Sequence, residues 1–277
     1  MQESTHLIHQ YLRHDKKFPH LWCPGCGNGI VLGALIRAIH HLGCSKNEIA
    51  LVSGIGCSSR MPTYVDFNTL HTVHGRALTF ATGIKLANPA LKVIAIMGDG
   101  DAMAIGGNHF IHAARRNIDI TALIMNNSIY GMTGGQSSPT TPFGSVSATA
   151  PYTQIERPFQ VAEMAIASGA SYVARGTVYH ARKLIGLIEQ AIRKPGFSVV
   201  EIITHCHVQF GKYNQMGSHI DMLKWQKSHA VPAEKAGSLS DEALKDKFTI
   251  GVLANRDFPI FDQEYEKIRQ AAMQAQP

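Results

Sequence analysis

The sequence predicts an α/β fold: a parallel sheet with helices on both faces. Three observations predict it. Strand-length apolar runs alternate with helix-length runs, the order that a parallel sheet with crossover helices requires. The strand runs IALVS (49–53), VIAIM (93–97) and ITALIM (120–125) are almost continuously apolar, which fits strands buried on both faces. Three unusual segments, Gly54-Ile55-Gly56-Cys57, Gly98-Asp99-Gly100-Asp101 and Asn126-Asn127, lie at the ends of such runs. Ligands of open parallel sheets sit at that carboxyl edge.

The elements follow in order. Residues 30–42 carry apolar side chains at helical spacing and stop at Gly43. Strand 49–53 comes next, then a helix over 76–88 closed by Pro89. Strand 93–97 runs into Gly98-Asp99-Gly100, and a helix is expected over 105–116, its start weakened by Gly106 and Gly107. Strand 120–125 ends at Asn126-Asn127. Residues 128–158 are rich in Gly, Ser, Thr and Pro without a sustained period, a long loop of the kind that is usually functional or disordered. Helix 159–168, strand 171–175, helix 179–193 and strand 198–203 resume the alternation. The chain is thus expected to divide into a domain over 1–206 and a more polar C-terminal extension over 207–277, packing on the domain or on a partner.

Composition narrows the function. Of 277 residues, 45% are hydrophobic and 17% charged, which is globular. No apolar run nears the roughly 18 residues of a membrane span, and Met1 to His20 lacks the apolar stretch of a signal peptide. A cytoplasmic chain with no membrane or nucleic-acid role is expected. The net charge of +6 is spread thinly, its longest basic runs being the pairs Lys16-Lys17 and Arg115-Arg116. Most of it reads as solvated surface, with a docking face for an acidic protein as the alternative.

Asn127 follows Asp99 by 28 residues, one helix plus one strand, so both return to the same sheet edge. Glycines there let backbone N–H groups approach a phosphate. A carboxylate and an amide oxygen are hard ligands suited to Mg²⁺ shared with a diphosphate. Either motif alone is an ordinary turn; together, at strand ends, they point to a metal–diphosphate clamp. A Rossmann site is set aside because Gly98-x-Gly100 lacks the third glycine in register.

Five cysteines, Cys23, Cys26, Cys44, Cys57 and Cys206, stand in a chain expected to stay reduced. Cys23-Pro-Gly-Cys26 reads as a redox pair, half of a zinc site or half of an iron–sulfur site. Cys57 and Cys206 each follow a strand, so both can approach the cofactor edge. Four thiolates from three segments suit a 4Fe–4S cluster, with zinc second. Cys44 reads as a packing residue. Arg60, three residues after Cys57, is a candidate to hold a substrate carboxylate, against the alternative of an ordinary surface arginine.

The strings GDGDAMAIGGNH (98–109), NNSIYGMTGGQ (126–136) and HGRALTFATGIKLANP (74–89) resemble the thiamine-diphosphate-binding β subunits of 2-oxoacid:ferredoxin oxidoreductases. The similarity runs from about Trp22 to Cys206. The resemblance implies the thiamine-diphosphate-binding fold. It places Mg²⁺ on Asp99, Asn127 and the carbonyl of Ile129. Cofactor contacts fall on Ile55, Gly56, Cys57, Ser58, His74, Gly98, Gly100, Asp101, Gly131 and Met132, with His74 against the diphosphate. One 4Fe–4S cluster falls on Cys23, Cys26, Cys57 and Cys206, where a histidine on each side of Cys206 leaves His207 as an alternative fourth ligand. The implied reaction is CoA-dependent oxidative decarboxylation of a 2-oxoacid, with electrons passed to ferredoxin. An α subunit supplies the activating glutamate and the rest of the substrate site. The segments CPGCGNGIVLGAL and MTGGQSSPTTP look most like 2-oxoglutarate enzymes, ahead of pyruvate and branched-chain ones. A non-redox thiamine decarboxylase and a zinc-stabilised binding module are the rivals.

Overall fold

In the computed structural model, which describes residues 2–15 and 19–275, the five apolar runs become β1 (Ile49–Ser53), β3 (Lys92–Gly98), β4 (Thr121–Asn126), β5 (Tyr172–Thr177) and β6 (Ser198–Ile203). Three strands with weaker signals complete the sheet: β2 (Asn68–His71), β7 (Ala230–Pro232) and β8 (Phe248–Asn255). The order is β2-β1-β3-β4-β6-β5-β8-β7. From β2 to β5 every neighbouring pair is parallel. β8 runs antiparallel to β5, and β7 runs parallel to β8, so both oppose the other six strands. The parallel sheet is therefore extended at one edge by strands of the polar tail, which its diluted apolar pattern and Gly251 had hidden. The pair Lys16-Lys17 lies outside the described residues.

Both faces of the sheet are buried, for the reason the unbroken strand runs suggest. Leu51, Ile94, Ile96, Leu123, Met125, Val200 and Ile202 point into one core, against α2 (Asn28–His41) and α6 (Ala181–Arg193), with α1 (Gln2–Tyr11) at its margin. Their neighbours Ala50, Val52, Val93, Ala95, Met97, Ala122, Ile124 and Val199 point into the other, against α3 (Ala77–Ala87), α4 (Gly107–Arg116) and α5 (Val161–Ala167). The expected helix over 105–116 starts two residues late. Asp101–Ile105 form a separate π-type turn, broken from α4 at Ala104 and Gly106. The tail adds α7 (His219–His229).

This order positions the site. Adjacent parallel strands β1, β3, β4 and β6 end at one edge, so the segments that follow them meet there. β2 and β3 flank β1 on opposite sides, the reversal that opens a crevice at strand carboxyl ends.

Candidate active site

A cavity of about 230 Å³ lies at that edge. Ile55, Gly56, Cys57 and Ser58 enter it from the end of β1, and Gly98, Asp99, Gly100 and Asp101 from the end of β3. Asn127, Ile129, Gly131 and Met132 enter from the end of β4, and His74 from the segment before α3. Every residue assigned by sequence to the diphosphate and its metal thus lines one cavity. Arg60 stands at its margin, with Nη2 3.9 Å from Met132 Sδ.

Asp99 is buried. The hydroxyls of Ser138 and Thr140 both donate to its Oδ2, each at 2.6 Å. Burial pushes its carboxyl above the ordinary range, and those hydroxyls pull it back down. Among the described residues no cationic side chain pairs with it. A buried carboxylate without a counter-charge is costly, and a cation in the cavity would supply one. The loop after β4 turns back over Asp99 through two side-chain turns: Asn126 Oδ1 accepts the Ser128 N–H and Asn127 Oδ1 the Ile129 N–H, both at 3.2 Å. Gly100 lies flat beneath the Tyr130 ring, where a Cβ would collide with it.

Asp101 forms the opposite wall. Its Oδ1 accepts from His74 Nδ1 and the Gly75 N–H, both at 2.7 Å. Desolvation raises its carboxyl pKa, and those two donors oppose the rise. An acceptor-only carboxylate fixes His74 Nδ1 as the protonated nitrogen, which leaves Nε2 for a ligand. Gly54 is the residue that lets Asp101 in, since a Cβ there would overlap the carboxylate.

The cysteines gather beside this cavity. Each of Cys23, Cys26, Cys57 and Cys206 lies within electrostatic reach of the other three. Burial pushes the Cys26 and Cys57 thiols up to about 11, and the neighbouring thiols add to the rise. Hydrogen bonds help to assemble the corner. Trp22 Nε1–H donates to the Cys57 carbonyl at 2.7 Å, and His205 Nε2 lies 2.8 Å from the Gly25 carbonyl, as a donor must. Among the described residues, no three His, Cys, Asp or Glu side chains converge tightly enough for a single metal ion. His207 packs against the His219 ring at 5.6 Å. Cys44 stands apart, half-buried against the core behind α2.

Ser138, Thr140, Tyr130 and Trp22 were not assigned a role by sequence, and His205 was noted only as a neighbour of Cys206. The first two sit in the aperiodic stretch 128–158, which proves ordered and folds its hydroxyls onto Asp99. No spacing rule announces such a contact.

The sheet, with this cavity at its strand ends, belongs to the thiamine-diphosphate-binding class of enzymes. Residues 43–202 match the family model "Thiamine pyrophosphate enzyme, C-terminal TPP binding domain". The chain is 50% identical to 2-oxoglutarate synthase subunit KorB of Methanothermobacter thermautotrophicus, covering 94% of this chain and 90% of that one. It is 51% identical to the subunit of the same name from Archaeoglobus fulgidus, covering 94% and 93%. Among solved structures, a 2-oxoglutarate:ferredoxin oxidoreductase from Magnetococcus marinus, with 2-oxoglutarate, coenzyme A and succinyl-CoA bound, aligns with TM-score 0.85 at 35% identity. That alignment covers 96% of this chain and 90% of that one. The chain belongs to the 2-oxoacid:ferredoxin oxidoreductase β subunits. Among the described residues no helix is long and apolar enough to cross a membrane.

Proposed function

We propose that this chain is the β subunit of a cytoplasmic 2-oxoglutarate:ferredoxin oxidoreductase, which converts 2-oxoglutarate and CoA reversibly to succinyl-CoA and CO₂. The observation that carries the reading is the meeting, at one sheet edge, of an uncompensated buried carboxylate and four thiols that share Cys57 with the cofactor cavity. Asp99, Asn127 and the carbonyl of Ile129 hold Mg²⁺. The backbone around Gly98 and Gly100 receives the diphosphate, with His74 beside it in the cavity wall. Thiamine diphosphate, when bound, supplies the nucleophile and electron sink for decarboxylation of a 2-oxoacid. Cys23, Cys26, Cys57 and Cys206 hold a 4Fe–4S cluster. Cys206 is the fourth ligand rather than His207: a Cβ on Gly131, at the cavity wall, would lie 3.2 Å from Cys206 Sγ, whereas His207 packs on the His219 ring.

Arg60, at the cavity margin beside Met132, holds a substrate carboxylate. Ile55 and Met132 stand 41% and 46% exposed on the cavity wall, with Leu21 and Val73 more exposed still. An apolar rim around a polar site suits coverage by a second subunit. That α subunit completes the site, and ferredoxin receives the electrons. The test is anaerobic purification of the αβ complex, followed by CoA-dependent dye reduction with 2-oxoglutarate, pyruvate and a branched-chain 2-oxoacid. The expected result is a brown complex with the highest kcat/KM for 2-oxoglutarate, and no turnover by the isolated chain. A higher value for pyruvate overturns the substrate; a colourless, iron-free complex overturns the cluster.

A further inference from the structure

The proposed metal site uses Asn127 and takes no ligand from its neighbour Asn126. It also leaves out two buried charges, Glu201 on β6 and Arg175 on β5, which are 3% and 5% exposed. These three residues form a single line of contacts. Arg175 Nε–H donates to Glu201 Oε2 at 2.7 Å, and Arg175 Nη2 reaches the more exposed Glu163 at 2.9 Å. The other carboxylate oxygen, Glu201 Oε1, accepts from Asn126 Nδ2 at 2.8 Å. Asn126 Oδ1 in turn accepts the Ser128 N–H and lies 3.0 Å from Thr140 Oγ1, the hydroxyl that reaches Asp99.

We infer that Glu201 is a positioning residue for the metal site, setting which end of the Asn126 amide faces the loop that carries Asn127 and Ile129. The inference rests on the reading of Asp99, Asn127 and Ile129 as the Mg²⁺ site. It follows from the polarity of the groups. A guanidinium only donates and an ionised carboxylate only accepts. Glu201 therefore accepts at both ends, and Asn126 must turn its NH₂ toward Glu201 and its oxygen toward the loop. That oxygen holds the N–H of Ser128, a non-glycine residue at φ 61°. Such a left-handed residue persists only where its surroundings hold it. With the turn held, Asn127 and Ile129 face the same cavity as Asp99.

A glutamine at position 201 has the same shape but one donor and one acceptor. Arg175 would claim the acceptor, so the glutamine NH₂ would meet Asn126. The Asn126 amide would then turn over and point its own NH₂ at the Ser128 N–H, donor against donor. The αβ complex, stripped of Mg²⁺ and thiamine diphosphate, tests this by calorimetric titration of Mg²⁺ with thiamine diphosphate present. Glu201→Gln should weaken Mg²⁺ binding roughly tenfold or more, as expected when a buried donor loses its acceptor. Its kcat at saturating Mg²⁺ and cofactor should stay near wild type. Combining Glu201→Gln with Asn126→Asp conserves the buried charge and restores an acceptor at every donor, so Mg²⁺ affinity should return most of the way.

Wild-type affinity in Glu201→Gln overturns the inference, and so does a double variant no better than the single one. If Glu201→Gln fails to assemble, the double variant decides alone: recovered affinity supports the inference and weak affinity overturns it. Asp99→Ala separates the two levels. Wild-type affinity in Asp99→Ala removes the site reading and the inference together. Lost affinity there, with wild-type affinity in Glu201→Gln, removes only the inference.

Discussion

The cofactor cavity and the cysteine corner adjoin on one sheet edge and share Cys57, yet they are built by opposite means. The cavity is held before any ligand arrives. Ser138 and Thr140 fix Asp99, Gly75 and His74 fix Asp101, and side-chain turns at Asn126 and Asn127 fix the loop above. The corner draws four free thiols from three distant segments. The hydrogen bonds that join those segments include Trp22 to the Cys57 carbonyl, Leu21 N–H to the Tyr64 hydroxyl and His205 to the Gly25 carbonyl. A pocket for an exchangeable cofactor gains from a site formed in advance. If the thiols hold the proposed cluster, their last cohesion can come from the metal–ligand bonds, since binding energy at such sites is also folding energy.

The sharpest way to break this comparison is Asp99→Ala. If the two regions are independent, the αβ complex should lose measurable Mg²⁺ and thiamine diphosphate binding while keeping its iron and its visible absorbance. Titration calorimetry and iron analysis on the same sample check both. Loss of iron along with the cofactor would make the two regions one cooperative unit.

The converse substitution is next in size. Cys26→Ala should remove most of the iron and bleach the absorbance, because a cluster that loses one of four thiolates becomes labile, while thiamine diphosphate still binds. Cys44→Ala is the control and should change neither. Cys57→Ala sharpens the comparison further. Its side chain lines the cavity and its thiol is coupled to Cys206 and Cys23, so iron should be lost and cofactor affinity should fall several-fold. Unchanged cofactor affinity would confine Cys57 to the corner.

The same contrast explains what the sequence revealed. Part of the cavity lining was legible because Asp99 and Asn127 lie in short motifs fixed to strand ends, where one strand and one helix set their separation; the remaining lining residues were named through the family resemblance. Asp99 and Asn127 needed no knowledge of the rest of the chain. Their supports were not legible: Ser138 and Thr140 sit 39 and 41 residues beyond Asp99 in a loop without period, and Glu201 reaches Asn126 across 75 residues. The central strands were legible because they are buried on both faces. β2 was not, because its four residues lie at an edge and are largely exposed, and β8 was not, because Gly251 and partial exposure dilute its pattern.

The smallest effect expected concerns how the corner is fastened. His205 is 3% exposed, and its Nε2–H is the donor in hand for the Gly25 carbonyl, between the two cysteines of the C-x-x-C loop. It thereby ties Cys23 and Cys26 to the segment that carries Cys206. His205→Phe keeps the ring and the burial but removes the donor, and one such bond contributes about 1 kcal/mol. Iron should still be incorporated, because four thiolate bonds outweigh one hydrogen bond. Once formed, the cluster should be lost several-fold faster to a chelator, since the loop can open more often. Thiamine diphosphate affinity should not move, because His205 is not among the residues lining the cofactor cavity. An unchanged rate of iron loss would show that the Trp22 and Leu21 contacts fasten the corner without His205; a simultaneous fall in cofactor affinity would show that the corner and the cavity are coupled through β6.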